Sequence, residues 1–111
     1  RGRRRDDEER CPADVTWEVR QSPEFEAWLL RLRDKVTRAI IVRRIARVAS
    51  GNFGDVRPVG DGVSELRVDY GPGYRVYFVR RGERLIVLLC GGDKGSQARD
   101  IAHAKALAQE I

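Results

Sequence analysis

The chain of 111 residues carries 22 Lys+Arg against 17 Asp+Glu, a formal net charge of +5, and is 41% hydrophobic and 35% charged. That length suits one domain with a modest core. No apolar run approaches the roughly 18 residues of a membrane span, which excludes a transmembrane protein, and two cysteines, Cys11 and Cys90, are too few for a disulfide-stapled scaffold.

The first residues, Arg1 to Glu9, read RGRRRDDEE and offer nothing apolar to bury. Residues 1–14 are therefore expected to be a mobile charged tail, with one domain over 15–111. No stretch has the layout of a secretory signal, so the expected location is cytoplasmic. The chain lacks methionine, initiator included, which reads as a processed or trimmed N-terminus.

Val15 to Arg20 alternates and suits a short strand. Ser22-Pro23 reads as a helix start, followed by Phe25, Trp28, Leu29 and Leu32 at helical spacing. Asp34 is placed to cap a second helix with Ile41, Ile45 and Val48 as its apolar stripe, and Ser50-Gly51-Asn52 to end it. The pair forms a helical hairpin with arginines outside. The period then changes to two. Strands are expected over Val56–Val59, Ser64–Tyr70, Tyr74–Arg80 and Arg84–Cys90, joined by glycine-containing turns short enough for hairpins. Gly91 to Ser96 reads as a turn and Gln97 to Glu110 as a last helix with Ile101, Ala104, Leu107, Ala108 and Ile111 on one side. The order β-α-α-β-β-β-β-α is an α+β domain with helices packed on a mainly antiparallel, twisted sheet. Its last strand is apolar on both faces, so it should be central and covered, and Cys90 within it reads as a small buried hydrophobe.

Nineteen of the 22 basic residues are arginines, whose planar fork grips phosphate or carboxylate at two points. Seven basic residues against one acid, Asp34, fall between Arg31 and Arg47. Such density suits a polyanion or an acidic partner segment, or else a solvated helix face. Strand alternation adds a second cluster. If Leu66, Val68, Tyr70, Tyr74, Val76 and Phe78 face the helices, then Glu65, Arg67, Asp69, Arg75 and Tyr77 meet on the other face, within reach of Lys94. These residues are either cross-strand ion pairs that hold register or a phosphate-sized pocket of cations. Other chemistries fit poorly. His103 is the only histidine, so no zinc set or Ser-His-Asp triad assembles. Gly91 to Ser96 lacks the spacing of a nucleotide phosphate loop.

Four ordered segments, GNFGD from Gly51, GVSELR from Gly62, GPGYRVYF from Gly71 and LLCGGDK from Leu88, make the chain resemble the RelE/ParE superfamily of bacterial toxins, in its HigB-like addiction-module killer branch related to phage-derived proteins. The likeness runs from about Trp17 to the C-terminus. It implies a compact sheet with an N-terminal helical hairpin and a C-terminal helix. It also implies the toxin of a type II toxin-antitoxin system, a ribosome-dependent endoribonuclease that cuts messenger RNA and so inhibits translation. The implied partners are the ribosome, messenger RNA and a small helix-turn-helix antitoxin, the last in a hetero-oligomer with the toxin; no membrane, metal or cofactor is implied. Position by position, the family's strand arginine falls on Arg75, the basic residue of the preceding strand on Arg67, and the basic residue after the last strand on Lys94. RelE carries a basic residue where Glu65 stands and a tyrosine near Asp100, two departures from its pattern.

The expected chemistry is attack of a 2′-hydroxyl on the adjacent phosphate, with cations meeting the charge that gathers on the phosphoryl oxygens. Arg67 and Arg75 would hold the phosphate and Lys94 the leaving side, with Tyr77 or Glu65 as candidates for proton transfer. Arg38, Arg43, Arg44 and Arg47 would bind RNA or the ribosome. On this reading Arg75→Ala should abolish toxicity and leave the fold intact. Two alternatives share the fold: a ParE-like inhibitor of DNA gyrase that cleaves nothing, and a catalytically decayed homologue that only binds its antitoxin.

Overall fold

The computed structural model describes residues 16–111, so the tail expected over 1–14, with Cys11, lies outside the described residues. Strand β1 (Glu18–Gln21) leads into helices α1 (Pro23–Arg31) and α2 (Lys35–Ala49), then strands β2 (Val56–Gly60), β3 (Val63–Val68), β4 (Tyr74–Arg81) and β5 (Leu85–Asp93), and finally helix α3 (Gln97–Ala108) after a 3₁₀ turn at Lys94–Ser96. The five strands form one sheet in the order β1-β5-β4-β3-β2, antiparallel except where β1 joins β5. Among the described residues no helix is long and apolar enough to cross a membrane.

Local chemistry sets the helix ends. The Ser22 hydroxyl accepts from the Phe25 amide at 3.0 Å, and Pro23 begins α1, where its missing N–H costs nothing. Asp34 caps α2, accepting from the Val36 amide at 3.0 Å, and its other oxygen accepts from the Thr37 hydroxyl at 2.9 Å. Phe25, Ile41 and Val48 then bury against Leu66, Val68, Val76, Phe78, Ile86 and Leu88 on one face of the sheet.

The other face is divided along its length. At one end Val63, Tyr77, Val79, Leu89 and Cys90 are buried beneath Ala104 and Ala108 of α3. At the other end stand Arg67 and Arg75. Helices thus cover both faces, as the apolar last strand led one to expect, although the second face is covered only over part of its length. The irregularity that makes this cover apolar lies between Tyr77 and Phe78. There the β5 partner jumps from Cys90 to Leu88, so Leu89 is the extra residue and joins Cys90 on the α3 side.

Three expected boundaries shift. The first strand, expected from Val15, begins at Glu18, with Thr16 and Trp17 ahead of it and Val15 outside the described residues. β3 ends at Val68 and Tyr70 lies outside it, 38% exposed, in the turn that Gly73 closes with a hydrogen bond to the Tyr70 carbonyl. Gly91 to Asp93, expected as a turn, continue β5, pairing with Val76, Arg75 and Tyr74. Glycine stands at two of these positions because helices press on the strand. A Cβ on Gly91 would run into the Trp28 ring, and one on Gly92 into the Asp100 carboxylate.

Candidate active site

Register brings the charged strand residues together. Arg67 on β3 is the direct cross-strand partner of Arg75 on β4, and Glu65 is the partner of Tyr77 one step along the same face. Gly92 stands beside Arg75 on β5 and contributes no side chain. The space is closed from above by the start of α3, where the Ser96 hydroxyl donates to the Asp100 carboxylate.

Glu65 is the hub. Its side chain is 2% exposed, so its oxygens must find their partners inside the protein. Oε2 accepts from the Tyr77 hydroxyl at 3.2 Å and from Gln97 Nε2 at 2.8 Å. Arg75 Nη1 lies 3.5 Å from the same oxygen, and Arg67 Nε lies 3.7 Å from Oε1. Among the described residues both arginines thus lean on one shared carboxylate, and neither has a private one. Arg75 is itself 5% exposed, and its Nε and Nη1 make no hydrogen bond. A buried guanidinium whose Nε has no partner, and whose Nη1 has only the long 3.5 Å contact to Glu65, has donors left for an anion.

Arg75 also lines a cleft of about 340 Å³, together with Arg67, Lys94, Tyr74, Asp55 and Asp69. A second cleft of about 460 Å³ adjoins it. Arg43, Arg44 and Arg47 of α2 line this one with Gly54, and the two clefts share Asp55, Arg67, Val68 and Asp69 as a common wall. Arg44 donates from Nη2 to the Phe53 carbonyl at 2.5 Å, while its Nη1 is buried with no partner. Its pKa is held below the usual arginine value, first by burial and then by the like charge of Arg47, against a smaller opposing pull from Asp55.

Three expectations need correction. Tyr77 and Glu65 do not line the cleft. Tyr77 is fully buried, and its hydroxyl is pushed well above the ordinary tyrosine range by burial and then by Glu65. A hydroxyl that holds its proton so firmly, and spends it on Glu65, is out of place for proton transfer to a substrate. Arg38 lines neither cleft, since it donates to the Leu32 carbonyl across the turn between α1 and α2. Nor is Arg75→Ala a clean probe. Cutting away one partner of a buried pair strands the other, at about 3–5 kcal/mol, so the fold itself is at stake.

Sequence reasoning missed Gln97 and Asp55. Gln97 opens α3 three residues after Lys94, but nothing in the pattern says that its amide turns back to Glu65. Asp55 enters because the Arg67 amide donates to its carbonyl at 3.0 Å, which pins the loop before β2 against β3.

Comparison with known proteins agrees with this architecture. The family model described as "Phage derived protein Gp49-like" matches residues 27–110. An uncharacterized protein of Haemophilus influenzae is 46% identical over 97 residues, covering 87% of this chain and 98% of its own. Among solved structures, a chain of the toxin-antitoxin complex RelBE2 from Mycobacterium tuberculosis superposes with a TM-score of 0.57 at 18% identity, over 72% of this chain and all of its own. At that identity the likeness is one of fold.

Proposed function

This chain belongs to the Gp49-like family of phage-derived proteins, a RelE/ParE-type toxin family, and on that premise we propose that it is the toxin of a type II toxin-antitoxin pair and cuts RNA. The observation that carries this reading is the convergence of Arg67, Arg75 and Lys94 on one cleft, with Arg75 held only loosely by Glu65. In the cut, the 2′-oxygen of a ribose forms a bond to the adjacent phosphorus while the bond from phosphorus to the 5′-oxygen breaks. The 2′-hydroxyl gives up its proton, and the departing 5′-oxygen takes one. The products are a cyclic phosphate and a 5′-hydroxyl end. Negative charge builds on the phosphoryl oxygens in the transition state, and cations fixed in advance stabilise it more than they do the ground state. Arg67 and Arg75 fill that role and Lys94, exposed at the cleft's edge, meets the leaving oxygen. Glu65 and Tyr77 serve as positioning residues, holding the two guanidinium planes from behind.

The messenger bound in the ribosome is the proposed substrate, and a helix-turn-helix protein from the neighbouring gene the proposed antitoxin. The test is induction in a bacterial host with and without that gene, followed by mapping of RNA 5′ ends. Growth arrest with new 5′-hydroxyl ends, relieved by the neighbouring gene and lost in Lys94→Ala and Arg67→Ala, is the expected result. Arrest with intact messages and broken DNA would overturn it in favour of a gyrase poison, and no arrest would mean an inert antitoxin-binding homologue.

A further inference from the structure

The two clefts form one groove, and we infer that the α2 half is a subsite for the phosphates flanking the scissile one, so that Arg43, Arg44 and Arg47 grip the substrate strand itself. The inference rests on the reading of the first cleft as the RNA-cutting site.

Continuity is the first argument. Arg67 belongs to the wall of both clefts, so a chain whose phosphate sits between Arg67 and Arg75 leaves past Arg67 into the α2 half. Charge is the second. Six basic residues line the groove against two carboxylates, Asp55 and Asp69, and each of these acids is exposed, where water screens it. Arg44 is the third. Its Nη1 is buried without a partner and its charge is disfavoured by burial and by Arg47, and a phosphate would relieve both. The seat is built for it: Gly54 adopts φ +66°, and a Cβ there would come within 2.5 Å of Arg44 Nη2. Arg43 and Arg47, exposed and one helical turn apart, frame the open side. Tyr74 in the first cleft offers a ring on which one base can stack.

The test compares 2′-O-methyl RNA oligonucleotides, which cannot be cut, binding to the purified full chain. A dinucleotide carries one phosphodiester and a hexanucleotide five. The expected result is at least tenfold tighter binding of the hexanucleotide, and loss of that gain in Arg43→Ala/Arg47→Ala with dinucleotide binding unchanged. The double variant should also flatten the dependence of log affinity on log salt by roughly 1.4, about 0.7 per phosphate contact removed on a single strand. Both arginines are exposed, so the fold should survive, as a thermal melt will show. Equal affinity for the two lengths would overturn the inference. So would a double variant that keeps the gain and loses only co-sedimentation with ribosomes, because the α2 arginines would then serve ribosomal RNA. Length-dependent binding without cutting in cells would sink the nuclease reading alone; cutting without length-dependent binding would sink the subsite alone.

Discussion

Gln97 Nε2 donates to Glu65 Oε2 at 2.8 Å, tying the first residue of α3 to a carboxylate buried beneath the cleft. The bond joins residues 32 positions apart and is made to a charged group with almost no access to water. Hydrogen bonds of that kind contribute about 1.5–3 kcal/mol. Gln97→Ala is therefore expected to lower unfolding free energy by about that amount. Arg99→Ala, at an exposed position on the same helix, should cost no more than about 0.5 kcal/mol. Urea denaturation of the two variants beside the unmodified chain measures the difference, and equal losses would mean that the Gln97 bond adds nothing.

A double-mutant cycle on Glu65 and Arg75 probes the core of the cleft. Each single change leaves one buried charge without its main partner. Arg75→Met and Glu65→Leu should each cost about 3–5 kcal/mol, and the double variant clearly less than their sum, because the one charge left without its partner, Arg67, is partly exposed to water. Chemical denaturation of the four proteins gives the coupling. Additive losses would mean that the two groups do not sense each other in the folded state.

Most of the architecture was legible because local signals agree with one another. Ser22-Pro23, Asp34 and the glycine-bearing turns each mark a boundary that the structure keeps within a residue or two. What escaped was tertiary. The second face of the sheet reads as polar from Glu65, Arg67, Arg75 and Tyr77, yet Val63, Tyr77 and Val79 on that same face are core, and only the packing of α3 decides where one regime ends. The bulge at Leu89 was invisible in a strand apolar at every position. Gly91 and Gly92 resembled a turn because glycine has the same letter whether it frees the backbone or makes room for a neighbour. For the candidate site, alternation grouped Arg67, Arg75, Glu65 and Tyr77 correctly. It could not tell which of them meet solvent, and that distinction separates cleft cations from buried supports.

The crowding at Gly92 gives a sharp contrast with Gly62. A methyl group on Gly92 would overlap Asp100 Oδ2, with Ser96 Oγ at 2.8 Å, so the side chains that join the start of α3 must give way. On Gly62, at φ +79°, it would meet nothing within 4 Å and bear only the cost of the left-handed backbone. Gly62→Ala should therefore cost about 1–2 kcal/mol. Gly92→Ala should cost more, about 3 kcal/mol from overpacking, and should also displace α3 from the cleft. Thermal melts of both variants decide it, and equal losses would mean that α3 is not held against β5 as described.

Cys90 makes the stability depend on alkaline pH in a predictable sense. Burial, helped by the nearby charges of Asp100 and Glu24, pushes its thiol up to about 12 from an ordinary 9.0. Below pH 9 the thiol is protonated in both folded and unfolded chains, so its favourable contribution is fully present. Between 9 and 12 the unfolded chain ionises while the folded one keeps its proton, and stability falls by at most about 1.4 kcal/mol per pH unit. Tyr77, also raised, steepens the loss above its ordinary 10.0. Unfolding free energy measured by urea should therefore be level from pH 7 to 8.5 and decline from 9 to 11. Cys90→Ala starts lower because it leaves a cavity, yet its decline should be shallower, since one of the two protons that oppose unfolding is gone. Parallel curves for the two proteins would show that the thiol ionises as readily in the folded chain as in the unfolded one.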